Sequence, residues 1–197
     1  MCSRFEIDAQ PGDLAERFGL ADPPPVPGTP EIRPTDMALI IEGGAKPRLS
    51  GWGLAVEWNA KPLINARAET LREKKTFLPL LENRCLVPAT TYFEWRKDGP
   101  ALRKNRIGTK SRGVFAFAGL TDGERFTIIT CPPATDIAHI HDRMPVILER
   151  RAEPLWIDRG IPFDKVSGLM VSYEAQSLRA EEETPPPAGQ PDLFSSG

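Results

Sequence analysis

The sequence predicts an α+β fold, with one compact domain built around a mixed, strongly curved and barrel-like β-sheet and a few short helices. Two observations support this prediction. Short segments of strand composition are numerous, and only a few helical segments lie between them. The chain also has 197 residues, of which 40% are hydrophobic, and this suits a single domain with a substantial core. We find no internal repeat and no convincing domain linker.

The individual elements follow from local composition. Segments rich in β-branched and aromatic residues predict strands at residues 37–42, 52–56, 85–87, 91–96, 114–120, 125–131, 145–148 and 168–173. Helix-forming composition predicts short helices at residues 13–18, 66–75, 77–82 and 153–158. Residues 22–34 contain six prolines and are predicted to form a loop, because proline and glycine interrupt regular structure.

The domain is predicted to cover residues 2–178, and residues 179–197 are predicted to be an acidic, proline-rich, disordered tail. Residues 180–197 contain no Lys or Arg, and their acidic residues are Glu181, Glu182, Glu183 and Asp192. The net charge of −2 excludes a protein coated in positive charge. Without the four acidic residues of the tail, however, 25 basic residues face 23 acidic ones (27 less these four), a net charge of +2. The body of the protein can therefore carry a basic groove.

Cysteine usage predicts a reducing compartment. The chain has three cysteines, Cys2, Cys85 and Cys131, and an odd number does not suit a secreted disulfide scaffold. No signal peptide and no apolar run of about 18 residues is present, so we expect a cytoplasmic protein without a membrane segment. Cys85 and Cys131 are expected to be buried and inert.

Cys2 is the most informative residue, because removal of Met1 alone would leave it at the chain terminus. A terminal cysteine is a 1,2-aminothiol, which captures aldehydes: the amine forms a Schiff base and the thiol closes onto it to give a thiazolidine ring. Both groups are usable near neutral pH, since an α-amino group has a pKa of roughly 7.7–8.0 and a thiol about 8.5. Taken alone, Cys2 is better explained as an ordinary small residue after the start codon.

Asn65 and Arg67 lie two residues apart at the start of the predicted helix at 66–75. An asparagine amide can orient a terminal amine, and an arginine can grip a phosphate through its fork of donors. The structural alternative is a helix N-cap at Asn65 and a solvated helix face at Arg67.

Glu94 lies in an aromatic strand, Thr91-Tyr92-Phe93-Glu94-Trp95-Arg96. On a strand, Tyr92 and Glu94 share one face while Phe93 and Trp95 share the other. A carboxylate flanked by aromatic rings is partly desolvated, which raises its pKa and suits it to carry protons near neutral pH. The alternative is a strand-edge carboxylate that points into water.

Both histidines of the chain fall in one segment, His139-Ile140-His141-Asp142-Arg143. Two histidines without a Cys-X-X-Cys motif give little basis for a metal site, so we expect neither a metal nor a cofactor. A single histidine acting as an acid or base is more plausible, because its pKa lies near working pH. A structural histidine paired with Asp142 is the simpler alternative.

A basic segment and two tryptophans suggest nucleic acid. Residues 96–112 contain seven basic residues and one acidic residue, which could follow a phosphate backbone or simply form a solvated hairpin. Trp52 and Trp58 could stack on bases, although tryptophans are more often core residues.

Together these features resemble the SRAP family, the SOS response-associated peptidases, also called abasic-site processing proteins. The resemblance runs from Cys2 to about Tyr173 and rests on motifs in the family's order and rough spacing. They are Met-Cys-x-Arg-Phe at the start, Trp-Gly-Leu followed by Trp58, Leu-Ile-Asn-Ala-Arg-Ala-Glu-Thr, Arg-Cys-Leu-Val-Pro-Ala, Phe-Glu-Trp, Phe-Ala-Gly-Leu and Ile-His-Asp-Arg-Met-Pro-Val.

The resemblance implies that the chain removes its own Met1 and that the new terminal Cys2 bonds the aldehyde of an abasic site in single-stranded DNA, which shields the lesion. By position, Asn65 matches the residue that orients Cys2, Glu94 the acid/base for Schiff-base formation and methionine removal, and His141 the residue that stabilises the opened sugar and helps reverse the link. Residues matching DNA contacts are Arg4, Arg67, Trp58 and Pro34, to which the stacking hypothesis adds Trp52. We expect a monomer that associates with the nucleoid when bound to DNA.

The sequence departs from the family pattern at three places near these residues. Between the tryptophans, Ala55-Val56-Glu57 replaces a segment that usually contains proline. Ser3 stands where the family commonly has glycine, and acidic Glu31 stands where it has an amide close to the expected DNA path. Two other hypotheses stay open: a thiol peptidase that uses Cys2 on other proteins, and a non-catalytic module that binds single strands reversibly.

Overall fold

In the computed structural model, which describes residues 2–173 and 177–183, strands dominate and the helices are short. In chain order, the strands are β1 (Phe5–Glu6), β2 (Glu31–Ile32), β3 (Met37–Glu42), β4 (Lys46–Trp52), β5 (Leu54–Val56), β6 (Asn59–Leu63), β7 (Asn65–Arg67), β8 (Arg84–Ala89), β9 (Thr91–Asp98), β10 (Ala101–Thr109), β11 (Phe115–Thr121), β12 (Arg125–Cys131), β13 (Met144–Pro145), β14 (Ile147–Leu148) and β15 (Leu178–Glu182). The α-helices are α1 (Pro11–Phe18), α2 (Glu153–Ile157) and α3 (Phe163–Val166), and the 3-10 turns are Ala68–Thr70, Leu78–Leu80, Thr135–Ile137 and Ser167–Leu169.

Five of these strands form a closed barrel, which confirms the predicted α+β class with a barrel-like sheet. The strands pair in the order β12-β4-β3-β8-β11, and β11 pairs again with β12 to close the ring. The sheet is mixed, because β12 runs parallel to β4 while the other barrel pairs are antiparallel. Every residue of β8 and β11 is buried, so both faces of these strands are covered. This explains why they appear in the sequence as continuous apolar runs without alternation.

Gly119 is required where the barrel strands approach most closely. A Cβ atom at this position would lie 2.9 Å from Sγ of Cys85 and 3.1 Å from the carbonyl oxygen of Thr127. Both contacts are closer than real Cβ atoms normally tolerate, so the segment Phe-Ala-Gly-Leu keeps its glycine for packing between β8 and β12.

A second sheet carries the start of the chain. Its order is β15-β10-β9-β1-β2, and all its pairings are antiparallel. In β1, Phe5 lies opposite Tyr92 of β9 on one side and Ile32 of β2 on the other. The phenyl ring of Phe5 packs edge-on against Trp52 and Phe117 of the barrel. The N-terminal residues are therefore fixed between the second sheet and the barrel.

Two predicted elements are wrong. Residues 66–75 do not form a helix: Asn65–Arg67 is strand β7, which pairs in parallel with β12, and one 3-10 turn follows. The backbone groups of β12 offer long-range hydrogen bonds that outweigh local helix propensity. Residues 168–173 do not form a strand, because a 3-10 turn occupies Ser167–Leu169.

The tail was predicted to begin at residue 179, which lies inside strand β15. Residues 179–182 pair with β10 as most of strand β15, with Ile107 opposite Ala180. The sheet therefore extends to Glu182, while residues 184–197 lie outside the described part of the chain. Among the described residues, every helix is too short to cross a membrane.

Candidate active site at the chain start

Cys2 is buried just ahead of β1 and is held through its main chain. The Nδ2 amide of Asn65 donates to the Cys2 carbonyl oxygen at 2.7 Å, and the thiol contacts the carbonyl oxygen of Arg4 at 3.6 Å. Phe93 in turn donates its backbone N–H to that Arg4 oxygen at 2.9 Å. Burial raises the pKa of the Cys2 thiol far above its ordinary value, and the negative charge of Glu94 raises it further. The thiol is therefore fully protonated at neutral pH.

Asn65 connects the barrel to the chain start. Strand β7 places it opposite Ile128 of β12, so its side chain is held by sheet pairing and not by the helix start that its sequence context suggests. Its other amide atom, Oδ1, is buried and has no hydrogen-bond partner among the described residues. Since a buried acceptor without a partner is costly, this oxygen is available to a donor that arrives at the Cys2 terminus.

Glu94 is buried, with 3% of its surface exposed, so the interpretation as a strand-edge carboxylate in water is wrong. Burial raises the pKa of Glu94 to about 7, and the charge of Asp142 also raises it. The alternation on β9 is as expected, because Tyr92 packs against Phe117 of the barrel while Phe93 lies under the Lys104 ammonium on the other side. Glu94 is therefore a carboxyl group that can hold or release a proton near neutral pH.

His141 lies beside Glu94, with Nε2 of the imidazole 3.8 Å from Oε2 of the carboxylate. On the other side of the ring, Nδ1 accepts the backbone N–H of Arg143 at 3.0 Å and lies 2.9 Å from Oδ1 of Asp142. The Arg143 N–H favours a neutral ring with its proton on Nε2, whereas Asp142 favours the charged form. Burial, the largest effect, lowers the pKa of His141. His139, by contrast, is exposed.

An ion pair that was not predicted from the sequence fixes the segment containing His141. The Arg143 guanidinium binds both carboxylate oxygens of Glu69, at 2.6 and 2.9 Å, and donates to the carbonyl oxygen of Thr130 at 2.7 Å. Glu69 follows β7, so one short segment contributes Asn65 on one side and the anchor for the His141 segment on the other. In the sequence, Glu69 and Arg143 belong to two separate motifs, Leu-Ile-Asn-Ala-Arg-Ala-Glu-Thr and Ile-His-Asp-Arg-Met-Pro-Val. No local pattern indicates that these two residues pair.

The two candidate phosphate-binding arginines, Arg4 and Arg67, differ in their solvent exposure. Arg67 is exposed at the end of β7. Arg4 is partly buried: its guanidinium lies 5.5 Å from the centre of the Trp95 ring and 3.5 Å from Oε1 of Glu31. Pro34 is partly buried in the loop after β2.

The two tryptophans proposed to stack on bases have opposite environments. Trp52 is completely buried, donates its indole N–H to the Ile64 carbonyl oxygen at 2.9 Å and stacks on Phe126. It is a core residue, so its assignment as a DNA-binding residue is wrong. Trp58 is 70% exposed at the turn between β5 and β6, where a base could reach it.

The basic segment at residues 96–112 covers the end of β9, all of β10 and the residues just after it. Acidic residues of β15, together with Glu183 just beyond it, neutralise part of this charge. Arg96 pairs with Glu182 at 2.9 Å, Lys104 pairs with Glu183 at 2.8 Å and Arg112 lies 3.7 Å from Glu181. The acidic residues assigned to a tail thus neutralise charges that a phosphate backbone would otherwise meet.

The three cysteines are free and buried. Within the described ranges 2–173 and 177–183, no group of three or more His, Cys, Asp or Glu side chains is placed to hold a metal ion. The side chains that the site itself offers are those of Cys2, Asn65, Glu94 and His141. These groups can orient a terminal amine and transfer protons beside it.

Comparison with known proteins identifies relatives along the whole chain. The family model described as SOS response associated peptidase (SRAP) matches residues 1–183. The abasic site processing protein YoqW of Bacillus subtilis is 33% identical and covers 100% of both chains. The abasic site processing protein YedK of Escherichia coli is 30% identical over 87% of this chain and 86% of its own. The abasic site processing protein HMCES of Gallus gallus is 29% identical over 54% of this chain and 44% of its own.

Solved structures share the fold. A protein from Bacteroides thetaiotaomicron superimposes with a TM-score of 0.80 at 24% identity, covering 92% of this chain and 91% of its own. A protein from Bordetella bronchiseptica superimposes with a TM-score of 0.81 at 21% identity, covering 93% and 100%. With the family model matched over almost the entire length, the chain belongs to the SRAP family of SOS response associated peptidases.

Proposed function

We propose that this protein processes abasic sites by a covalent reaction: after Met1 is removed, the amine and thiol of Cys2 form a thiazolidine with the ring-opened sugar in single-stranded DNA. The relatives named abasic site processing proteins support the role. The observation that carries the chemistry is the hydrogen bond from Asn65 to the Cys2 carbonyl, which holds the chain start beside a carboxyl group of raised pKa and an imidazole.

The reaction has two stages and releases one water molecule. The neutral Cys2 amine adds to the aldehyde carbon, and the resulting carbinolamine loses its hydroxyl group as water after a proton is supplied by Glu94 or His141. The thiol sulfur then adds to the imine carbon, and the thiol proton passes to the nitrogen. Because the open-chain aldehyde is a minor species, holding both reactants in place supplies much of the rate.

The raised pKa of Glu94 suits these stages. A carboxyl group with a pKa of about 7 is present in both forms near neutral pH, so Glu94 can supply a proton in one step and accept one in the next. Oδ1 of Asn65, which has no hydrogen-bond partner among residues 2–173 and 177–183, is an acceptor for the new Cys2 amine. Arg4 and Arg67 would hold flanking phosphates, and Trp58 would stack on a base.

We include the removal of Met1 in the proposal, with Glu94 as the group that transfers the proton during hydrolysis of the Met1–Cys2 bond. Both reactions then use one site. The terminal amine that hydrolysis releases is the nucleophile of the crosslinking reaction.

The two alternatives receive less support. A thiol peptidase acting on other proteins needs a thiolate nucleophile with a lowered pKa, whereas burial raises the pKa of Cys2. A module that binds single strands only through charge needs a free basic surface, whereas Glu182 and Glu183 neutralise part of the β9–β10 hairpin.

The test is a single-stranded oligonucleotide with one abasic site, incubated with the wild type, with Cys2→Ala and with Cys131→Ala as a matched control at another buried cysteine. We expect a heat-stable adduct on a denaturing gel for the wild type and the control, and none for Cys2→Ala. Intact mass should show loss of Met1 and then a gain equal to the strand less one water. A stable adduct of Cys2→Ala, or retention of Met1 in the adduct, would contradict the proposal.

A further inference from the structure

Glu31 lies at the centre of a cluster of positive side chains next to the chain start. Its carboxylate is 2.9 Å from the Arg33 guanidinium, 3.5 Å from that of Arg4 and 3.9 Å from the ammonium of Lys104. We call these four residues the Glu31 cluster. Three cations thus face Glu31, and one of them, Lys104, also pairs with Glu183 at 2.8 Å.

Glu31 is ionised in this cluster. Burial raises the pKa of its carboxyl group, but the hydrogen bond from Arg33 and the charges of Arg4 and Lys104 outweigh this effect and lower the pKa below its ordinary value. The side chain is 30% exposed, so the carboxylate lies at the surface, where another anion can compete for the same cations.

The cluster adjoins the candidate active site. Strand β2 pairs with β1, with Glu31 opposite Glu6, and Arg4 is two residues from Cys2 in the sequence. The contact between Arg4 and Glu31 is loose at 3.5 Å. The buried Nε of Arg4, moreover, has no hydrogen-bond partner among the described residues. Arg4 therefore keeps donor capacity that Glu31 does not satisfy.

We propose that Glu31 acts as a built-in competitor of DNA phosphate: its carboxylate occupies the position at Arg4, Arg33 and Lys104 that a phosphate would take. This inference rests on the proposed function, since it concerns how a strand reaches Cys2. Glu31 weakens the reversible binding of every strand, and only a strand with an abasic site compensates by forming the covalent bond. Glu31 therefore limits how long intact strands occupy the site.

The physical reason is that the Glu31 carboxylate and a phosphate cannot both bind the three cationic side chains of the Glu31 cluster at full strength. When a phosphate displaces the carboxylate, the cluster exchanges one ion pair for another and releases few counterions. When residue 31 is neutral, the same cations neutralise about one more phosphate, and the counterion condensed on that phosphate is released. Removing the charge should therefore increase both the affinity and its dependence on salt.

The experiment measures reversible binding of an intact single-stranded oligonucleotide, without an abasic site, to the wild type, Glu31→Gln, Glu31→Asp and Glu149→Gln. Glu149 pairs with Arg151 at the surface, so Glu149→Gln makes the same change in net charge outside the cluster. We expect Glu31→Gln to bind about tenfold more tightly and its plot of log affinity against log salt to steepen by about one unit. Glu31→Asp and Glu149→Gln should stay within about twofold of the wild type.

A double-mutant cycle separates competition at Arg4 from a general effect of charge. In an Arg4→Ala background, the gain from Glu31→Gln should shrink to about threefold or less, because one of the cations for which the two anions compete is absent. An equal gain with and without Arg4 would overturn the proposal, as would a Glu31→Gln affinity that is unchanged or lower in a variant whose melting temperature matches the wild type.

Crosslinking of the wild type to an abasic strand, measured in parallel, separates the two proposals. If the wild type crosslinks and Glu31→Gln does not gain affinity, the inference about Glu31 fails alone. If the wild type does not crosslink, the proposed function fails, whatever the affinities of the variants.

Discussion

Glu94 and His141 lie 47 residues apart in the numbering, yet Oε2 of one is 3.8 Å from Nε2 of the other. Strand β9 supplies the carboxyl group, and the segment before β13 supplies the imidazole. Burial acts on both but in opposite directions: it raises the pKa of Glu94 to about 7 and lowers the pKa of His141. Both shifts favour the uncharged forms, so the pair holds protons that it can transfer near neutral pH.

Replacing Glu94 with Gln should slow crosslinking by about 100-fold or more, the usual contribution of a positioned acid or base. Gln keeps the shape of the side chain but cannot transfer a proton. Single-turnover adduct formation, followed on denaturing gels at several pH values, measures the effect. An unchanged rate with an unchanged pH profile would show that Glu94 does not transfer the proton.

The same variant should change how stability depends on pH. The pKa of Glu94 is raised to about 7 in the folded protein from an ordinary value of 4.5, so its favourable contribution is complete below about pH 4.5 and is lost as the pH rises through 7. The wild type should therefore lose stability relative to Glu94→Gln across this window, by an amount of order 3 kcal/mol. Urea unfolding of both proteins at pH 4.5, 6 and 8 measures the difference. A difference that stays constant with pH would contradict the raised pKa.

Asn65→Ala should slow crosslinking roughly a hundredfold without weakening the binding of intact strands, because it removes the donor that holds the Cys2 carbonyl and misplaces the nucleophile. Asn59→Ala is the matched control, since the side chain of Asn59 accepts a hydrogen bond from the backbone N–H of Lys61 in its own turn. Gel-based rates and fluorescence anisotropy give the two quantities. Equal rates for both variants would remove Asn65 from the site.

Replacing Trp52 with Ala should affect stability, whereas replacing Trp58 with Ala should affect DNA binding. Trp52→Ala should lower the free energy of unfolding by about 3–5 kcal/mol, as expected when a large buried ring is lost from a core. Trp58→Ala should leave stability unchanged and weaken single-strand binding by about 1–3 kcal/mol. Urea denaturation and anisotropy titration distinguish these results. If Trp58→Ala binds normally, the exposed ring does not contact the strand.

Glu69→Gln should slow crosslinking by about tenfold, because the carboxylate binds Arg143 through two hydrogen bonds and Arg143 donates its backbone N–H to His141. Glu69 does not reach the reacting atoms, so the pH profile of the remaining activity should keep the shape of the wild type. Glu149→Gln, which removes a surface ion pair elsewhere, should change neither property. A shifted pH profile for Glu69→Gln would indicate a direct effect on proton transfer.

The sequence by itself determined the fold class, most of the barrel strands and the chemical types in the site. The apolar runs at 37–42 and 125–131 reappear as β3 and β12 with the same bounds, because fully buried strands need continuous apolar composition. Cys2, Asn65, Glu94 and His141 are predicted site residues, proposed from their chemistry and from their motifs. The structure places Asn65 against Cys2 and His141 beside Glu94.

Only the tertiary structure decided which residues are covered and which partners they meet. The sequence could not show that Trp52 is buried and Trp58 is exposed. Both residues have the same side chain, and its exposure depends on strands that are distant in the chain. It predicted a helix at 66–75, where pairing with β12 makes residues 65–67 a strand, and it assigned to a tail the carboxylates of Glu181 and Glu182 that lie in β15. Long-range hydrogen bonds and ion pairs decided these cases, because they join residues that no local pattern connects.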